Sequence, residues 1–310
     1  MTAHGRTVRI YLADGSPTGI RHAEVLNWTG QAIVCPRGRI GELSNWPESQ
    51  RQGLYILFGE DPGDSTPLAY IGEAENVWTR LKQHVTGKEF WEQAVFFTSK
   101  DENLTKAHVK YLESRVVDLA LAAKRIKLEN GSTPPMSGLP RPDRDAMEEF
   151  LEAARILLGS LGFNFLEPVL SYKSGDQSTS NKGPLSLITL YLKVEKRGIS
   201  AEGTVTDEGF VVAEGSIAEK TPKDSLSPGY SKRRAELLQQ GALVETESHV
   251  KFTQDVLFSS PTAAASVVCA GMWGGRKGWK DEHGTTLEDL EKQVVGAPVT
   301  PEGVEESCPN

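Results

Sequence analysis

The chain is poor in sulfur and in sustained hydrophobicity. Its three cysteines, Cys35, Cys269 and Cys308, lie far apart with no paired-ligand spacing. That pattern argues against structural zinc and fits a reduced, cytoplasmic protein. No apolar run approaches the roughly 20 residues a membrane span needs, so no membrane partner is expected. The opening Met-Thr-Ala-His-Gly-Arg lacks the hydrophobic stretch of a signal peptide. Positive charge is also short, with 34 Lys and Arg against 42 Asp and Glu and a formal net charge of −8. A nucleic-acid partner usually wants the opposite balance. Internal repeats, heptad runs and Ser/His/Asp triad spacing are not seen either.

What is present is ordinary soluble-protein composition, 38% hydrophobic and 25% charged over 310 residues. That length suggests two or three units. The charge is unevenly spread. From Trp78 to Lys127 there are ten Lys and Arg against six Asp and Glu, while acidity gathers in 143–152 and in the tail from Glu282. A basic segment on an acidic chain is compatible with a local groove for DNA.

The organising stretch runs from Gly53 to Asn130. Gly53-Leu54-Tyr55-Ile56-Leu57-Phe58 and Leu68-Ala69-Tyr70-Ile71-Gly72 flank nine residues rich in turn formers, the pattern of a β-hairpin with a long loop. Residues 76–85 read as a helix capped by Asn76, with Arg80 and His84 four apart on one face. A third strand is expected at 94–98. A second helix, 103–124, carries Glu113 beside Lys106, Lys110 and an apolar stripe that includes Leu112, Val116 and Leu119.

Gly-Leu-Tyr, then Tyr-Ile-Gly, then Arg80 ten residues after Tyr70, then a helical glutamate, resembles the GIY-YIG nuclease family over roughly residues 51 to 131. The resemblance implies an α+β fold, with a small three-stranded antiparallel sheet flanked by helices. It also implies hydrolysis of phosphodiester bonds in DNA, with RNA left open, around a single Mg²⁺ or Mn²⁺. In that reading Glu113 holds the metal, Arg80 neutralises the scissile phosphate and Tyr55 activates or orients the water. Tyr70 hydrogen-bonds the water or Tyr55, and Asn130 braces the site. An unperturbed phenol, with a pKa of about 10, is a poor base at neutral pH, so His84 stands as the alternative general base. Lys82, Lys106 and Lys110 are candidates to touch the nucleic acid. One departure is Glu73, where some family members have a lysine directly after the second tripeptide. It either implies a different base or points away from the phosphate path.

Around this core the expected organisation is a small N-terminal β unit over 1–50, the nuclease-like core over 51–168 and a linker over 169–186. A separate α+β domain follows over 187–288, with a disordered tail over 289–310. Short strands are expected at 6–12 and within 20–33, and a short helix within 40–50. The C-terminal domain has strands expected near 187–194, 201–205, 209–213 and 250–253 and helices near 226–241 and 261–270. Its Gly209-Phe210-Val211-Val212, Leu257-Phe258-Ser259-Ser260-Pro261 and Ala263-Ala264-Ala265-Ser266-Val267-Val268 resemble an uncharacterised module found in bacterial proteins, sometimes behind such nucleases. Within it, Gly271 to Lys280 reads as a loop anchored by Trp273 and Trp279, or as an auxiliary phosphate cradle.

Plainer readings stand beside these. Strand tyrosines are often packing, a helical arginine is often solvated, and Glu113 has Lys110 and Arg115 nearby as ion-pair partners. Asn130, in Glu-Asn-Gly, suits a turn. Two further functions compete with the endonuclease: a nuclease fold that binds nucleic acid without cutting it, and an interaction protein acting through its C-terminal domain.

Overall fold

The computed structural model describes residues 5–61, 66–101, 103–131, 134–135, 137–167, 185 and 188–296. The chain divides into two compact units, His4–Pro168 and Val169–Asn310. Both mix helices with a multi-stranded sheet, so the α+β class is as expected.

The first unit opens with β1 (Val8–Leu12), β2 (Arg21–Val25) and β3 (Gly30–Pro36). Two 3₁₀ helices, Arg37–Asn45 and Pro47–Gln50, occupy the segment where one short helix was expected. Then come β4 (Gly53–Glu60), β5 (Pro67–Ala74), α1 (Val77–Gly87), β6 (Trp91–Ser99), α2 (Lys106–Ala123), β7 (Lys127–Leu128) and α3 (Arg141–Ser160). The expected hairpin is present with Tyr55 opposite Gly72, and β6 lies on the other side of β4.

These three strands do not form a sheet of their own. The sheet has seven strands in the order β1-β2-β3-β6-β4-β5-β7, antiparallel except for the short parallel β5–β7 pair. The expected three-stranded sheet is thereby corrected, and the strands expected as a small N-terminal β unit extend that same sheet. The reason lies in β3, whose residues Gly30 to Cys35 are all buried. A strand covered on both faces needs a neighbour along each edge, and β3 finds them in β2 and β6.

Period-two alternation distributes the sheet's side chains between two cores. Leu54, Ile56, Ile71, Val95 and Phe97 face α2 and α3, meeting Val109, Leu112, Val116, Phe150 and Leu157. Tyr55, Leu57, Ile33, Cys35 and Phe96 face the other way, against Val77 and Leu81 of α1 and Ile40 and Leu43 of the longer 3₁₀ helix. The candidate tyrosine thus belongs to the α1 face, while Glu113 comes from a helix on the opposite face.

The second unit holds β8 (Leu190–Val194), β9 (Ile199–Thr206), β10 (Gly209–Val212), β11 (Ile217–Ala218), α4 (Pro228–Gln239), β12 (Leu243–Glu245), β13 (Val250–Phe252), β14 (Val256–Phe258), α5 (Pro261–Val268), the four-residue α6 (Gly275–Gly278) and α7 (Leu287–Gly296). Its sheet runs β12-β13-β11-β9-β10-β14, with β8 also paired to β9. The Ala-rich α5 is buried, as are Trp279 and Leu287.

The tail expected to be disordered from 289 is instead helical through Gly296. Leu290 is buried, and Lys292 pairs with Glu288 one turn away. Residues 297–310 lie outside the described residues, as does the expected linker 169–186 apart from Leu185.

Gly53, which opens the first tripeptide, is dictated by packing. A Cβ there would sit 2.3 Å from the Phe97 carbonyl oxygen and 3.1 Å from Val77. Gly53→Ala should lower stability by about 1–3 kcal/mol, whereas Gly87→Ala, with open space around it, should be near neutral. Urea unfolding followed by tryptophan fluorescence reads both.

Candidate active site

Four of the expected residues meet on the α1 face. Asn76 caps α1 by accepting a hydrogen bond from the Thr79 N–H at 2.8 Å, which starts the helix where the sequence pattern placed it. Arg80 and His84 then project one turn apart toward β4. The Tyr55 hydroxyl lies 2.7 Å from His84 Nε2 and receives Arg80 Nε–H at 3.3 Å. Arg80 can only donate; with His84 Nε2 unprotonated, the Tyr55 proton goes to that nitrogen, while Tyr70 also hydrogen-bonds the same hydroxyl. The ring of Tyr70 completes the group, 6.2 Å from Tyr55 and 5.3 Å from His84 between centroids.

The glycine of the second tripeptide makes room for this. A Cβ on Gly72 would stand 2.3 Å from the Tyr55 hydroxyl oxygen, directly across the hairpin. Tyr55 is 0% exposed and its phenol is raised well above the usual range, chiefly by burial and then by Tyr70. Burial, then Arg80 and Lys88, push His84 down to about 4, so it is neutral at physiological pH. The Arg80 guanidinium itself is exposed, with Nη1 on Gln83.

Glu113 and Asn130 approach from the open edge of β5. Strand β7 covers that edge only at Leu68 and Ala69. One step on, Asn130 imitates a strand: its Oδ1 accepts the Ile71 N–H at 3.0 Å and its Nδ2 donates to the Ile71 carbonyl at 2.8 Å. Two residues further the Glu73 N–H donates to the Glu113 carboxylate. Glu113 is half-buried, and its pKa rises to about 7 through burial first and the Glu73 charge second. The Glu73 N–H, Lys110 and Arg80 pull the other way. The ordinary ion-pair reading of Glu113 loses one partner, because Arg115 binds Glu148 at 2.6 Å. Asn130 is a brace on β5 rather than a turn residue.

Among the described residues no three His, Cys, Asp or Glu side chains gather into a ligand cluster. A cation here would take Glu113, with Glu73 beside it, and draw the rest of its shell from water and phosphate, the habit of Mg²⁺ and Mn²⁺. Two neighbouring carboxylates, one of them half-buried and reluctant to ionise, fit such an ion, since a positive charge would relieve both the burial and the repulsion.

The expected nucleic-acid contacts separate. Lys82 is exposed with its Nζ 3.6 Å above the Trp78 ring, and Lys110 is exposed. Lys106 is engaged by Glu75.

Sequence reasoning missed Glu73 as the neighbour of Glu113. It also missed Lys88, which stands 4.2 Å over the Tyr70 ring while pairing with Glu129.

In the second unit the phosphate-cradle reading of 271–280 gives way to the anchored loop. Trp279 is buried with its Nε1 donating to the Pro261 carbonyl at 3.0 Å, and Arg276 and Lys277 pair with Glu291 and Glu288.

Residues 190–291 match a family described as a domain of unknown function, DUF4357. Among curated proteins and solved structures, none matches the chain.

The depressed His84 pKa carries a stability consequence. Unfolded, the imidazole titrates near 6.5; folded, it stays neutral to about 4. Between those values the unfolded chain binds a proton that the native state refuses, so stability falls as pH drops through 6.5 toward 4. Denaturant unfolding at pH 7, 6, 5 and 4.5 should show a shallower loss in His84→Gln than in the wild type.

Proposed function

We propose that the first unit is a metal-dependent endonuclease of the GIY-YIG type, hydrolysing phosphodiester bonds in DNA. The supporting observation is the convergence of Arg80 and His84 on the single Tyr55 hydroxyl, with Glu113 placed at the β5 edge close enough to feel the Arg80 charge.

Hydrolysis requires a water to attack phosphorus while the bond to the 3′ oxygen breaks, and the proton lost by the water needs an acceptor. Tyr55 is too buried to ionise on its own. Its hydroxyl oxygen can take the water's proton as its own proton passes to His84 Nε2, so the phenol relays charge without becoming a free phenolate.

The weak basicity of His84 in the free protein is tied to Arg80 and Lys88 as well as to burial. A phosphate drawn to the exposed Arg80 guanidinium would offset that positive charge and make His84 a better acceptor when substrate is present. Arg80 would thus neutralise the phosphoryl oxygens and set the base at once. Tyr70 and Lys88 wall the same side. Glu113 would hold the divalent ion, which when bound supplies Lewis-acid stabilisation of the phosphoryl oxygens and the leaving oxygen. The second unit, separate in sequence from this chemistry, would serve targeting or assembly.

Complete burial of Tyr55 favours one competing reading, a nuclease fold that grips nucleic acid without cutting it. The two separate cleanly in one experiment. Purified protein with Mg²⁺ or Mn²⁺ should cleave duplex, single-stranded or branched DNA. Arg80→Ala, Glu113→Gln and Tyr55→Phe should each lose about a hundredfold or more in rate while keeping the wild-type circular dichroism. Binding by gel shift with no turnover under any divalent metal would decide for the binding module.

A further inference from the structure

We infer that Arg37, from the segment ahead of the hairpin, is a positioning residue for this site: it fixes the C-terminal end of α1 and so sets where His84 and Arg80 meet Tyr55. The inference rests on the nuclease reading for its catalytic meaning, though not for its geometry.

Arg37 opens the longer 3₁₀ helix, and its guanidinium reaches across to the turn joining α1 to β6. Nη2 donates to the Val85 carbonyl at 2.9 Å, while Nη1 donates to the carbonyls of Glu89 at 2.9 Å and Trp91 at 3.1 Å. The same group lies 4.9 Å from the centroid of the Trp91 ring. Trp91 is fully buried and returns a hydrogen bond from Nε1 to the carbonyl of His84 at 3.2 Å.

One planar cation thus grips the last turn of α1, at the residue after His84, and the chain leading into β6 beyond it. The last carbonyls of a helix lack intrahelical donors and carry the negative end of its dipole, so a fixed guanidinium satisfies them in geometry and in charge. Asn76 secures the other end of α1. With both ends held, the helix has little freedom to slide or rotate, and the two side chains one turn apart arrive together at one hydroxyl. Lysine, a point charge without the fork, cannot span three carbonyls.

The test uses the full chain with Arg37→Ala and Arg37→Lys. Arg39→Ala serves as control, because Arg39 binds Asp14 and Glu42 instead. The His84 ring is followed by NMR from pH 8 to 3.5. The groups facing it are Tyr55, Tyr70, Arg80 and Lys88. Arg37→Ala should move the His84 midpoint up by about one pH unit or more as burial relaxes. It should also cut kcat on duplex DNA about tenfold or more with KM little changed. Arg37→Lys should fall between, and Arg39→Ala should match the wild type.

A folded Arg37→Ala protein with wild-type His84 titration and kcat would overturn the inference. Should that variant not fold, an unshifted midpoint in Arg37→Lys would overturn it equally. If the wild type cuts no DNA, the nuclease reading fails by itself. The His84 midpoint in Arg37→Ala then still decides the positioning role, supporting it if displaced and refuting it if not.

Discussion

One hydroxyl group, shared in a space too small for a methyl, sets the terms for the first unit. Tyr55 sits on an interior strand with its phenol directed at Gly72, and only the absent Cβ lets the oxygen reach His84 and Arg80. A buried hydroxyl needs its hydrogen bonds, and here Arg80 donates to it while His84 and Tyr70 stand within hydrogen-bond reach. The hairpin register, the rotation of α1 and the charge on Arg80 are therefore mutually dependent. The two tripeptides read as a pair because each contributes half of this arrangement: the phenol from one strand, the vacancy from the other.

The second dependence lies along the β5 edge. A strand edge exposes backbone groups that must find partners. Strand β7 supplies them over only two residues, then Asn130 and Glu113 take over with their side chains. Glu113 is thereby tied to the backbone of the strand that carries Tyr70 and Gly72. A carboxylate from a helix on one face of the sheet and a phenol on the other are thereby tied to that one strand.

Much of this was legible in the sequence. The alternation in β4 and β5, the Asn76 cap and the Arg80–His84 spacing are local patterns, and local patterns predict local structure. Pairing partners are not local. Nothing in the residues of β3 announces that its neighbour is β6, some sixty residues on, so the N-terminal strands looked like a unit of their own. Arg37 was unreadable for the same reason, since its partners lie 48 to 54 residues away and are backbone carbonyls without side-chain identity. Glu73 was noticed as a departure, yet its effect on Glu113 depends on how α2 lies against β5. The helix at Leu287–Gly296 was hidden by the acidic, Gly- and Pro-containing residues that follow it.

The continuity of the ladder from β3 into β6 also bears on modularity. Cutting the chain just before Gly53, where the recognisable tripeptides begin, would strip β6 of its outer neighbour along the whole stretch from Gln93 to Ser99. Any transplantation of this unit between polypeptides, by recombination or by engineering, must therefore carry the three preceding strands along, and the seam belongs upstream of Val8.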